Sequence, residues 1–322
     1  MKRILRSIIL SYLLLASLPL QAGAAELLIP VGKVIGLQLQ DDTLTVAAFD
    51  DALGACARDA GIKIGDEILK IDSTAVESVT DVKDALGRCG PQVTLMIRRG
   101  GKISTLHLSP RQTEDGPRLG VYLRQGIAGI GTVTFYDPDT GIFGTLGHGV
   151  SDARGRLLSM KQGTAYPAEV LSVRKGKCGE PGQLKGNADA VSTLGPLLKN
   201  TPQGVFGITK IPWSGKALPV AAYSDIRTGQ ATIRSTVQGN TVQEYSVEIL
   251  KIYPEDRSDG RNFLIKVTDP ALLNATGGIV QGMSGSPILQ NNTIVGAVTH
   301  VLVNDPTMGY GIYIDTMLDA AS

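Results

Sequence analysis

Beyond residue 25 the apolar positions fall in short runs that alternate with polar ones. Glycine, proline, asparagine or aspartate interrupts them every few residues. That is the period-two pattern of strands with one buried face. From Val34 onward it predicts strands over Ile35–Leu39 and Leu44–Ala47, then over Glu67–Ile71, Val93–Arg98 and Ile103–Leu108. A helix-like stretch, Asp81 to Leu86, lies among them, and Arg99-Gly100-Gly101-Lys102 reads as a hairpin turn. The polar segment Arg111-Gln112-Thr113-Glu114-Asp115-Gly116-Pro117 predicts a domain boundary.

Downstream, Ile130–Tyr136 alternates and enters the turn Asp137-Pro138-Asp139-Thr140-Gly141, and Phe143–Gly147 returns as its partner. Glu169–Val173, Thr232–Val237, Glu244–Ile252 and Phe263–Val267 continue the series, with no long helical pattern between them. Many short strands over about 200 residues imply one or two antiparallel barrels. The expected organisation is a segment 1–25, a first domain over 26–111 and a second over 117–322.

Residues 1–25 stand apart. Lys2, Arg3 and Arg6 precede an apolar stretch of 13 residues, Ile8 to Leu20, and then the small residues of Gln21-Ala22-Gly23-Ala24-Ala25. This predicts an export signal, removed or kept as a membrane tether, with the body of the protein outside the cytoplasmic membrane. Composition narrows the function classes. Lysine and arginine number 31 against 30 acidic residues, so no basic footprint points to nucleic acid. The three cysteines, Cys56, Cys89 and Cys178, fit neither a disulfide framework nor a zinc site. They are separate thiols, or Cys56 pairs with Cys89. No metal and no cofactor is called for.

Only His107, His148 and His300 can supply an imidazole. His107 sits in a predicted strand. His148 follows a hairpin within Gly144-Thr145-Leu146-Gly147-His148-Gly149, where glycines leave a ring open to a cleft. Gly282-Met283-Ser284-Gly285-Ser286-Pro287 places a serine on a tight turn, as a nucleophile needs, with the amides of Gly282 and Ser284 as natural oxyanion donors. His148 and Ser284 fall in separate strand-rich halves, in the order that a double-barrel peptidase uses to set base and nucleophile across one cleft. His300 is expected to wall the substrate pocket or to belong to the core.

Two resemblances follow from these motifs. Ala60-Gly61-Ile62-Lys63-Ile64-Gly65-Asp66-Glu67-Ile68, with Ile71-Asp72 and a later helix, resembles a PDZ domain. That implies capture of an extended peptide whose terminal carboxylate is held by backbone amides of Ile35-Gly36-Leu37. Phe143–Gly149, Gly278–Pro287 and Gly296–Thr307 resemble the sporulation stage IV protein B peptidases. That resemblance implies a mostly β fold in which a PDZ-like domain precedes a chymotrypsin-like double β-barrel. It implies an exported serine endopeptidase that cleaves a membrane-bound partner of an intramembrane protease and so releases a late sigma factor. The implied roles are Ser284 as nucleophile, His148 as general base and Asp269 as the associated acid. Asp189 is the rival for that third role, and Asp152 a more distant one. The competing class is an inactive PDZ-containing module that only binds a protein or peptide.

Overall fold

In the computed structural model, residues 27–322 are described except 153, 154, 190, 255, 256 and 258, so the predicted export segment lies outside the described residues. Among the described residues there are twenty-one strands and four α-helices.

The strands begin with β1 (Leu27–Pro30) and β2 (Val34–Phe49), and helix α1 (Ala55–Asp59) leads to β3 (Glu67–Ile71) and β4 (Thr74–Ala75). Helix α2 (Val79–Gly87) precedes β5 (Val93–Arg99) and β6 (Lys102–Leu108). A small hairpin, β7 (Arg111–Thr113) with β8 (Gly116–Arg118), leads into β9 (Val121–Tyr136) and β10 (Ile142–Thr145). Then come β11 (Gln162–Arg174), β12 (Gln183–Ala188), β13 (Gly195–Thr201), β14 (Gly204–Ile208) and β15 (Leu218–Pro219). The rest is β16 (Gly229–Gln238), β17 (Thr241–Ile252), β18 (Phe263–Val267), α3 (Pro270–Thr276), β19 (Pro287–Gln290), β20 (Thr293–Leu302), β21 (Asp305–Tyr313) and α4 (Ile314–Ala321).

Two closed six-stranded barrels and a PDZ sheet result. In the first barrel the order β2-β9-β10-β14-β13-β11 closes because β2 pairs with both β9 and β11. In the second, β16-β17-β18-β21-β20-β19 closes through β16 and β19. Alternation drives both: in β17 Tyr245, Val247 and Ile249 point inward between exposed neighbours, and in β18 Phe263, Ile265 and Val267 do the same. The PDZ sheet has its own core of Leu44, Val46, Ile68, Ile71, Val82, Leu86, Leu95 and Ile97. Helix α2 is fixed by a capping box in which Ser78 and Asp81 satisfy each other's backbone amides.

Strand pairing runs across the domain boundaries expected from the sequence. Residues 27–39 belong to the first barrel and not to the PDZ unit, and residues 121–125 complete the PDZ sheet. The PDZ domain is therefore inserted between the first two strands of barrel one. Strands β2 and β9 form one continuous ribbon: Val34–Leu39 pairs with Ile127–Thr132 inside the barrel, and Leu44–Phe49 pairs with Val121–Gln125 inside the PDZ sheet. The polar break Gln40-Asp41-Asp42-Thr43, which separates two expected strands, is a bulge in this ribbon. Asp41 is nearly buried there, accepting from the Thr43 amide and hydroxyl.

Opposite the bulge Gly126 has φ +80°, and a Cβ on it would stand 1.8 Å from the Leu39 carbonyl oxygen. Only glycine lets the two backbones meet there. Gly126→Ala is expected to lower the melting temperature by roughly 5–10 °C, since left-handed strain and a backbone clash together cost about 2–3 kcal/mol in a chain of this size. Calorimetry against the parent checks it. An unchanged melting temperature would mean that the ribbon does not need this close approach.

Candidate active site

His148 and Ser284 line one cleft of about 430 Å³ between the barrels, together with Leu37, Leu146, Thr299 and His300. His148 follows β10 through a left-handed pair, Leu146 at φ +70° and Gly147 at φ +66°. Leu146 is a strained non-glycine position two residues from the imidazole, held by its own burial and by hydrogen bonds from the Leu146 amide and Thr145 hydroxyl to the Thr132 carbonyl. The outgoing strand of the same loop is pinned by Asn200 on β13, which accepts from the Val150 amide and donates to the carbonyls of Val150 and Leu158.

The serine sits on a turn that requires its glycines. Gly282 has φ +99° and Gly285 φ +94°, and a Cβ on Gly285 would fall 2.0 Å from the Thr132 carbonyl. Among the described residues, the amides of Gly282 and Ser284 donate to no protein acceptor, whereas those of Met283, Gly285 and Ser286 are all committed to carbonyls. Two undonated amides beside a hydroxyl are what an oxyanion hole needs.

That turn belongs to barrel two but is fastened to barrel one. Thr132 on β9 donates its amide to the Ser284 carbonyl at 3.0 Å and its hydroxyl to the Gly282 carbonyl at 2.8 Å, and Thr134 donates its buried hydroxyl to the Gly285 carbonyl at 2.8 Å. Sequence reasoning missed both threonines. Their signal was present, since two hydroxyls at i and i+2 on an otherwise apolar strand face the same side, where they need partners.

The Ser284 hydroxyl donates to the Thr299 carbonyl at 2.8 Å. That carbonyl is turned out of its ladder by a bulge in β20, where Val298 pairs with Gly311 and His300 with Tyr310, leaving Thr299 between them. Among the described residues no hydrogen bond joins that hydroxyl to His148, with which it shares the cleft. His148 Nδ1 lies 3.0 Å from the Gly149 carbonyl. A carbonyl only accepts, so Nδ1 carries the proton and Nε2 holds the lone pair. Burial holds the His148 pKa below the ordinary histidine value, opposed in part by that hydrogen bond.

The third role expected for Asp269 is not where the sequence puts it. Asp269 caps α3, accepting from the amides of Ala271, Leu272 and Ser246, and its carboxylate is consumed by backbone donors on barrel two. Asp189 stands exposed in a loop and accepts from the Val191 amide, which with Ser192 lowers its pKa. Asp152 pairs with Arg156. Among the described residues none of the three carboxylates bonds to His148.

The carboxylate-holding role given to Ile35-Gly36-Leu37 is also corrected. These residues lie inside barrel one with both edges paired, to Gly131, Ile130 and Gly129 on one side and to Pro167, Tyr166 and Ala165 on the other. Their amides are not free for a peptide, and Leu37 instead lines the His148 cleft. His107 is exposed on β6, and the three cysteines are free thiols.

A six-plus-six-strand double barrel whose facing loops bring a histidine and a glycine-flanked serine to one cleft is the architecture of chymotrypsin-like peptidases. Residues 115–318 match SpoIVB peptidase S55 and residues 34–109 match the PDZ domain. The first match covers more than half of the 322 residues, and the chain belongs to the SpoIVB peptidase S55 family.

A protein of Agrobacterium fabrum, named as a candidate zinc metalloprotease, is 33% identical over 100 residues, which are 31% of this chain and 26% of that one. The chain thus spans about a quarter of that relative's length. Among solved structures, the PDZ domain of an SdrC-like protein from Listeria monocytogenes is 23% identical, with TM-score 0.22, covering 26% of this chain and 87% of that chain. The inactive form of the Rv3671c protease is 13% identical with TM-score 0.34, covering 61% and 85%. A serine-to-alanine mutant of Rv3671c from M. tuberculosis H37Rv is 14% identical with TM-score 0.31, covering 61% and 82%.

Asp269→Ala is expected to cost about 1 kcal/mol of stability, the usual worth of a helix N-cap, whereas Asp269→Asn keeps the cap and the melting temperature. Neither should move the pH dependence of Ser284 reactivity. A turnover loss of roughly 10⁴-fold in Asp269→Asn, with the fold intact, would restore it as the orienting acid.

Proposed function

We propose that the protein is a serine endopeptidase in which Ser284 attacks the scissile carbonyl carbon and His148 Nε2 takes the serine proton. The amides of Gly282 and Ser284 receive the oxyanion, and His148 then returns the proton to the leaving amine. The observation that carries this reading is the convergence of His148, Ser284 and two undonated amides on one cleft between two barrels. The mostly apolar lining of that cleft, including Leu37, Leu146 and Ile130, suits an extended peptide with an apolar side chain.

The PDZ domain, on this reading, selects the substrate. Among the described residues its sheet has two unpaired edges, β6, which pairs only with β5, and Val121–Gln125 on β9, which follows the left-handed Gly120 and pairs only with β2; the β9 edge is the one continuous with the first barrel. A peptide adding to that edge would lie on the same strand that carries Thr132 and Thr134 to the nucleophile turn. We further propose, from the family alone, that the substrate is a membrane-associated regulator of an intramembrane protease. It would be cleaved outside the cytoplasmic membrane, in sporulation signalling that activates a late sigma factor. An export segment, or a tether formed by it, would place the enzyme there.

Labelling of the parent by a fluorophosphonate probe, absent in Ser284→Ala, tests the chemistry, because only an activated serine reacts. An equally labelled Ser284→Ala variant would sink it. Because burial lowers the His148 pKa, the neutral base persists below pH 6.5, and reactivity should fall only as pH drops through that lowered value. A limb above 6.5 would contradict the assignment of His148.

For the PDZ edge, Leu123→Asp is expected to weaken capture of a peptide ending in a free carboxylate, read by fluorescence anisotropy, while probe labelling stays at the parent rate. Unchanged capture would move the peptide site away from β9.

A further inference from the structure

His300 stands next to His148, with ring centroids 5.3 Å apart and planes inclined by 37°. Its Nδ1 is buried and meets no hydrogen-bond partner among the described residues. The bulge at Thr299 that turns a carbonyl onto Ser284 also sets the neighbouring His300 ring against His148. The hydroxyl of Thr299 donates to the Gly260 carbonyl at 2.9 Å, which draws the Asp259-Gly260-Arg261 loop over the same place.

The charged groups that face the His300 ring are His148, Arg261 and Asp259. Burial first, then His148 and Arg261, push its pKa down to about 4, with Asp259 opposing. Two half-buried imidazoles with centroids 5.3 Å apart disfavour double protonation, so one of the pair stays neutral while the other works.

We propose that His300 is the positioning residue for His148, packed against its ring in a site where no carboxylate among the described residues bonds to the imidazole. The two tasks of an orienting carboxylate are divided in this site. The Gly149 carbonyl fixes the His148 tautomer, and the neutral His300 ring holds the imidazole plane and keeps water from its buried side. No proton passes through His300, because the proton from Ser284 moves to His148 Nε2 and from there to the leaving amine. This inference rests on the peptidase reading and adds to it the residue that orients the base.

The test is the rate of Ser284 labelling by a fluorophosphonate against pH, in the full chain, for the parent, His300→Phe and His300→Ala. His300→Phe keeps a neutral ring and gives up only nitrogens of which Nδ1 has no partner. It is expected to react within about tenfold of the parent with its acid limb unmoved. His300→Ala lets the His148 ring shift and admits water, and a misplacement on the order of 1 Å costs about 10²-fold. Its acid limb should move up towards pH 6.5, because rehydration raises the lowered His148 pKa and leaves less neutral base at a given pH. Peptide KM is read alongside, since a pocket wall would change KM and leave the labelling rate and limb alone.

Parent-like labelling in His300→Ala, or a His300→Phe variant as impaired as His300→Ala while melting like the parent, would overturn the inference and leave the peptidase reading standing. An unlabelled parent would overturn both.

Discussion

The hydrogen bonds from Thr132 and Thr134 to the Gly282–Gly285 turn are the contact on which the site depends. They join the backbone of barrel one to the loop of barrel two that carries Ser284, at distances of 2.8–3.0 Å and largely out of water. Buried hydroxyls left without acceptors would each cost about 1–3 kcal/mol, so the barrels are held in this register as much by the penalty of parting as by the bonds themselves. The same Thr132 carbonyl receives the Thr145 hydroxyl and the Leu146 amide on the way to His148. One residue of β9 therefore fixes both the histidine loop and the serine loop.

Strand β9 has a second consequence. Its first half is an edge of the PDZ sheet and its second half is a wall of barrel one, with Gly126 between them. A domain joined by a flexible linker would recognise a substrate without bearing on the site. A domain inserted through two paired strands shares a backbone with it, and the Lys161–Glu77 ion pair adds a further tie across the junction. The PDZ unit and the Ser284 turn are thus connected by continuous hydrogen-bonded structure.

The two histidines of the cleft sit in unlike surroundings. His148 has a carbonyl acceptor that favours its protonated nitrogen, while His300 has a buried nitrogen without a partner and a cation, Arg261, close by. The environments differ in the direction that leaves His148 the easier ring to protonate.

Much of this protein is legible in one dimension. Period-two alternation located about half of the strands, because each barrel buries one face of every strand, while β12 to β15 and β21 went unforeseen. The Arg99–Lys102 hairpin is local, and the glycines beside His148 and Ser284 announced tight turns. Tertiary structure decided the rest, because it concerns partners far apart in sequence. An alternating run does not say which strand it will pair with, so β2 and β9 read as elements of separate domains when each serves both. Asp269 before Pro270 is equally suited to capping a helix and to orienting an imidazole, and only the fold shows its carboxylate already spent on three amides. His300 reads as a pocket residue until the bulge at Thr299 is seen to lay its ring against His148, 152 positions earlier in the chain. Backbone chemistry was written in the sequence, and the meeting of side chains across two barrels was settled by packing.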